Sequence, residues 1–115
     1  MNQLELHLMG CVEGPRMIPM SDVLKIKSYA EAVSVCWSNR RVAGMTKTSL
    51  AALTGMRPSH LTDYFSIERV DSQGRELREM PAKYIPAFEM VTGNTCVSQW
   101  LLSQGPLSVL LAAAA

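Results

Sequence analysis

Gly55 and Pro58 lie three residues apart near the middle of the chain, and together they forbid a single helix from running through that region. Thr46 begins a helical pattern that reaches about Thr54, with Leu50, Ala51 and Leu53 apolar. Gly55 falls just past its end, where a left-handed C-terminal cap is easiest for glycine. Pro58 has no backbone N–H to donate, which is harmless in the first turn of a new helix. Residues 59–65 continue that helix and offer Leu61, Tyr64 and Phe65 to a core. Two helices crossing steeply over a short turn need a small residue where they approach, which Ala51 supplies. Leu50, Met56 and Leu61 then fill the space they share.

The flanking pattern extends this pair into an all-α domain. Ser21 is a suitable N-cap and Asp22 sits where the helix dipole favours an acid. From there Ile26, Tyr29, Ala30, Val33, Cys36 and Trp37 recur at three- and four-residue steps, predicting one amphipathic helix that ends near Ser38-Asn39. Residues 66–79 are charged and contain Asp71-Ser72-Gln73-Gly74, which predicts an exposed loop or hairpin. Pro81 and Pro86 each suit a helix start, so a single turn is expected, then a helix from Pro86 to Thr92 stopped by Gly93. Asn94 or Thr95 can cap a last helix through Trp100 to about Gln104, where Gly105-Pro106 ends it. Leu4, Leu6 and Leu8 alternate with Glu5 and His7 as in a short strand, which either pairs with a second subunit or lies as an arm on the helices. The expected organisation is an N-terminal arm at 1–20, a helical domain at 21–104, and an apolar tail or short helix at 105–115.

At 115 residues the chain suffices for one core. It contains no apolar run of the ~20 residues a membrane-spanning helix requires, and no basic-then-apolar leader, so a cytoplasmic protein without a membrane partner is expected. Cys11, Cys36 and Cys96 are odd in number and widely spaced, neither a zinc pattern nor a disulfide framework. They read as reduced thiols, with Cys36 and Cys96 as core filler, and no metal is expected. With two histidines, no Gly-rich phosphate loop and no nucleophile motif, the sequence does not read as an enzyme, and neither cofactor nor small-molecule ligand is expected. Net charge is only +1, yet no Asp or Glu occurs between Ala32 and Thr62, where Arg40, Arg41, Lys47, Arg57 and His60 all fall. A local basic face is what counts for a polyanion within a Debye length of roughly 10 Å.

In the stretch Lys47 to Phe65, Leu50-Ala51, Gly55 four residues on, an apolar residue directly after it, and Leu61 stand in register with a known unit. The sequence here resembles the lambda-repressor-like helix-turn-helix family. A second block, Met80-Pro81-Ala82-Lys83-Tyr84-Ile85-Pro86-Ala87-Phe88-Glu89 with Thr92-Gly93-Asn94 and Gln99-Trp100-Leu101, is similar to the region after that unit in phage and prophage transcriptional regulators of the CII type. The two blocks cover over a third of the chain in the expected order. Two positions depart from the pattern: Lys47 stands where many members have Gln, and Tyr64 where many have a branched aliphatic.

The resemblance implies a five-helix domain that reads double-stranded DNA, with the helix at about 58–65 in the major groove. Arg57, Ser59, His60, Thr62 and Asp63 become the candidates for base contact, Arg57 as a two-fold donor to guanine and Asp63 as an acceptor from cytosine. Lys47 and Thr48, at a helix N-terminus, become candidates for phosphate contact, joined by Arg40 and Arg41. Leu50, Ala51, Gly55, Met56 and Leu61 are the unit's core. One small reading unit makes few base contacts, so a homodimer or higher oligomer on two half-sites is expected. The rival reading is a protein-binding adaptor on the same scaffold, which would expose apolar residues from among Trp37, Met45, Met56, Trp100 and the tail Leu107 to Leu111.

Overall fold

The computed structural model of the protein describes residues 14–105. The alternating stretch at Leu4–Leu8, Cys11 and the apolar tail from Leu107 lie outside the described residues. Within them the chain is all-α: six α-helices and a 3-10 turn, joined by two isolated β-bridges and no strand. None of the described helices is long and apolar enough to cross a membrane.

The first helical stretch is two pieces where the sequence predicts one. Helix α1 covers Met20–Val23, and helix α2 covers Tyr29–Ser38. Ser21 is inside α1 rather than capping it. The N-cap of α2 is Ser28, whose extended backbone presents Oγ to the Glu31 N–H at 3.1 Å. The break has a tertiary cause. Val23 and Ile26 both reach the core, and the Trp100 indole donates to the Ile26 carbonyl at 3.0 Å, satisfying a group that a continuous helix would have used itself.

Helix α3 spans Lys47–Thr54 and helix α4 spans Pro58–Phe65, with Gly55, Met56 and Arg57 as the turn between them. Thr46 caps α3 through its hydroxyl to the Ser49 N–H at 3.1 Å. Gly55 ends α3 in the left-handed conformation at φ 81°, its N–H on the Ala51 carbonyl. That is the placement the sequence calls for, and it is open to glycine at little cost.

After α4 the segment 66–79 folds back as a hairpin with one antiparallel bridge, Val70 opposite Glu76. The 3-10 turn Ala82–Tyr84 runs directly into helix α5, Ile85–Thr92, which Gly93 ends at φ 81°. Helix α6, Cys96–Ser103, follows with Thr95 at its N-cap position. The capping side chain is Asn94, whose Oδ1 accepts the Cys96 N–H at 3.2 Å while its Nδ2 donates to the carbonyls of Cys36 and Asn39. One buried amide thereby closes the end of α2 and the start of α6 together.

Helix α2 packs against α4 and α6, and α3 against α4 and α5. Phe88, Leu50, Leu61, Val33, Val97, Cys36 and Cys96 are fully enclosed among them, and the two cysteines are free thiols. Each large apolar side chain removed from water in this way contributes about 1.5–3 kcal/mol before entropy is counted. Polar groups enter the core only with partners: the Glu89 carboxylate accepts the Ser98 N–H at 2.9 Å and its hydroxyl, holding the first turn of α6. Among the described residues no buried side-chain N or O lacks a partner.

The part of the arm that is described belongs to the domain. Arg16 pairs with Asn94 in a parallel bridge, Ile18 is buried, and the Gln99 amide bonds both the N–H and the C=O of Ile18, each at 2.8 Å.

Candidate nucleic-acid interface

The turn at Gly55 sets which side chains of α3 and α4 face inward. Leu50, Ala51, Met56 and Leu61 are all buried, whereas Gly55, expected in the core with them, is exposed at the turn. The complementary face is exposed. Arg57, Ser59 and Thr62 on the α4 side, and Lys47 and Thr48 in the first turn of α3, are open to solvent. The side chains of Arg57, Ser59, Thr62 and Thr48 make no hydrogen bond to any described residue. Their donors and acceptors are available to a ligand.

An aromatic chain braces this pair against α2. Trp37 stacks on Phe65 at 5.2 Å with ring planes 9° apart, and Phe65 meets Phe88 at 6.1 Å. The Lys47 ammonium lies 5.6 Å from the Phe65 ring centre, which tethers the start of α3 to the end of α4. The ring contacts fix the placement of α4 against its neighbours without using any exposed polar group, and Lys47 adds the one that does.

The acid-free stretch supplies fewer outward cations than its composition promises. Arg40 lies 4.3 Å from the Trp37 ring centre and donates to the carbonyls of Trp37, Ala43 and Met45 at 2.8–3.2 Å. Its guanidinium closes the end of α2 and the loop to α3. Arg41 donates to the carbonyls of Gly14 and Gly93, joining the arm to the turn before α6. Both expected phosphate candidates are thus engaged in holding the chain together. Lys47 and Arg57 remain as the outward pair.

Two other candidates are also engaged. His60 is half-buried, with Nδ1 3.4 Å from the Tyr64 hydroxyl and the rings edge to face. Asp63, half-buried, accepts on Oδ2 both the backbone N–H of Arg78 at 3.3 Å and its guanidinium at 3.2 Å. Asp63 is the only acidic residue of α4, and this pairing offsets its charge.

Arg78 is the residue that sequence reading missed. Its side chain is 61% exposed, and among the described residues its guanidinium hydrogen-bonds Asp63 alone. Burial pushes the Tyr64 phenol up, with Tyr84 adding to the rise and Arg78 and Arg57 opposing it, so both cations act on the same hydroxyl. Arg57 at the N-cap of α4, Arg78 on Asp63 and Lys47 over the Phe65 ring thus meet α4 from three separate segments. Nothing local in the sequence marks Arg78, because its partner is fifteen residues away.

Among the described residues no cluster of three or more His, Cys, Asp or Glu is arranged to hold a metal ion. Comparison with protein-family models, with curated proteins and with solved structures finds no match.

Proposed function

We propose that this protein is a sequence-specific double-stranded DNA-binding transcriptional regulator of the lambda-repressor-like type, similar to the CII regulators of phages and prophages. The observation that carries this reading is the exposed face of the α3–α4 pair. It offers Arg57, Ser59, Thr62, Lys47 and Thr48, while the one carboxylate of α4 is neutralised by Arg78.

In this reading α4 enters the major groove, with Arg57 at its leading end donating to guanine and with Ser59 and Thr62 reaching base edges or phosphate. Lys47 and Thr48 meet phosphate at the α3 N-terminus, where unpaired backbone N–H groups add to the attraction. His60 and Asp63 act behind this face, shaping α4 through Tyr64 and Arg78. Arg40 and Arg41 hold the scaffold. No catalytic step is assigned.

A homo-oligomer follows from the small number of base contacts one such unit can make. Leu101 and Leu102 on α6 are adjacent exposed apolar residues, among several in the described chain, that a second copy could cover. Of the residues the adaptor reading would expose, Met45 and Met56 are buried and Trp37 and Trp100 pack against the core, while the tail Leu107 to Leu111 lies outside the described residues.

In vitro selection from random duplex DNA, followed by gel-shift titration of variants, tests the proposal. Arg57→Ala should lower discrimination at one base pair by roughly 1–3 kcal/mol, while Lys47→Ala should weaken all duplexes alike. Equal affinity of both variants and the wild type for every duplex would defeat it.

A further inference from the structure

The segment 66–79 is ordered far more thoroughly than its contribution to the core requires. Its base is nailed to the end of α4. The Arg69 guanidinium donates to the carbonyls of Ser66, Leu77 and Arg78 at 2.9–3.0 Å, and Asp63 holds Arg78 from the helix side. Its tip is equally defined. Asp71 Oδ1 accepts the N–H groups of Gln73 at 2.8 Å and Arg75 at 2.9 Å, and Gly74 supplies the left-handed residue at φ 80°. Yet no side chain from 66–79 is buried. Fixing a backbone costs entropy, and here that cost is not offset by apolar burial.

The register of the hairpin sorts its charges. With Val70 opposite Glu76, Arg69 faces Leu77 and Asp71 faces Arg75. Side chains alternate between faces, so Arg69, Asp71, Arg75 and Leu77 share one side, and Glu68, Val70 and Glu76 share the other. On the first side Arg69 and Leu77, at the base, are half-buried and Arg75, at the tip, is exposed, while Val70 and Glu76 on the other side are exposed. Arg75 stands at the tip on the same side as Arg69, whose guanidinium reaches the Ser66 carbonyl at the end of α4, with Glu76 on the other side. Its guanidinium is exposed and makes no hydrogen bond to any described residue. Ser72 and Gln73 beside it are exposed in the same way.

We infer that the hairpin is a second duplex-contacting element, in which Arg75 meets the sugar–phosphate backbone flanking the groove that α4 enters. The inference rests on the reading of α4 given above. A rigid arm bearing an unpaired guanidinium fits a phosphate, because the ligand is a fixed array of charge and an arm already ordered loses little freedom on binding. Anchorage through Arg69 and Asp63 ties the arm's position to that of the helix.

The test uses the full chain and a duplex obtained by selection with the wild type, read by hydroxyl-radical footprinting and by the dependence of affinity on salt. Arg75→Ala removes no internal hydrogen bond and should fold as the wild type does. It is expected to lose protection on the flank of the site, keep protection at its centre, and reduce the salt slope by about 1. Arg75→Lys should restore the slope. A footprint and slope identical to wild type in Arg75→Ala would overturn the role of the hairpin while leaving that of α4 standing. Failure of the wild type to bind any duplex would overturn both.

Discussion

The Asp63 carboxylate takes both the backbone N–H and the guanidinium of Arg78 on one oxygen, at 3.3 and 3.2 Å. This relationship fixes the hairpin to α4 and converts an acidic spot on the helix into a neutral pair with an outward cation. An exposed ion pair of this kind contributes about 0.2–1 kcal/mol to stability, so its importance lies in placement. Arg78→Ala is therefore expected to unfold within ~1 kcal/mol of wild type in urea. It should nevertheless weaken binding to selected and random duplexes alike, because Asp63 is left uncompensated. Unchanged affinity in a fluorescence anisotropy titration would contradict this.

Gln99 is the joint between the arm and the domain. Its amide serves the N–H and C=O of Ile18 together, and Ile18 is in the core. Gln99→Ala orphans two backbone groups, each costing about 1–3 kcal/mol when left buried and unpaired. The thermal midpoint should fall by about 8 °C or more, since a domain of this size shifts by about 4–8 °C per kcal/mol. A midpoint within a degree of wild type would show that the arm is not held this way.

Gly55 and Gly93 share φ 81° but not their surroundings. A Cβ at Gly55 meets open space, whereas one at Gly93 would lie 2.9 Å from Arg41 Nε and 3.0 Å from Arg41 Cβ. Gly55→Ala should cost on the order of 1–2 kcal/mol from backbone conformation alone. Gly93→Ala should cost more, because Arg41 is held by the carbonyls of Gly14 and Gly93 and must give way. Chemical denaturation of the two variants side by side checks the order; a larger loss at Gly55 would contradict it.

Stability should decline in alkali. Burial pushes the Cys36 thiol up to about 12 from 9.0, against a hydrogen bond to Thr92 that lowers it, and burial with Glu89 nearby pushes Cys96 up to about 11. Burial likewise raises Tyr29 from 10.0 to about 12, with Glu79 and Glu89 adding. The unfolded chain thus releases these protons at lower pH than the folded one. The folded state holds more protons above pH ~9, and its stability falls as pH rises from there through the folded values. Urea midpoints should be insensitive to these groups below pH ~8 and drop steadily above pH ~9. A midpoint that rises between pH 9 and 11 would contradict the burial of the thiols.

Much of this fold is legible in the residues because it rests on local chemistry. Gly55, Pro58 and Gly93 act through backbone conformation at their own positions, and the structure starts or ends its helices there, while Pro86 falls in the first turn of α5, which begins one residue earlier at Ile85. The hairpin at Asp71 is legible for the same reason. What escaped is what depends on distant partners. The apolar spacing from Ile26 to Trp37 suits one helix, but Trp100, seventy-four residues on, takes the Ile26 carbonyl, and the chain restarts at Ser28. Arg40 and Arg41 read as surface cations because sequence does not show which carbonyls lie within their reach. Arg78 escaped because Asp63 defines its position only after the chain has folded back.

The proposed binding of duplex DNA by the exposed face of α3 and α4 can be followed by a nuclear magnetic resonance titration. Isotope-labelled protein is titrated at low salt with a selected duplex, and backbone amide shifts are followed residue by residue. The largest changes are expected at residues 46–48 and 57–62, with a second set at 72–78 and little at α6. Absence of any change, or changes confined to α6 and the α1 region, would contradict it.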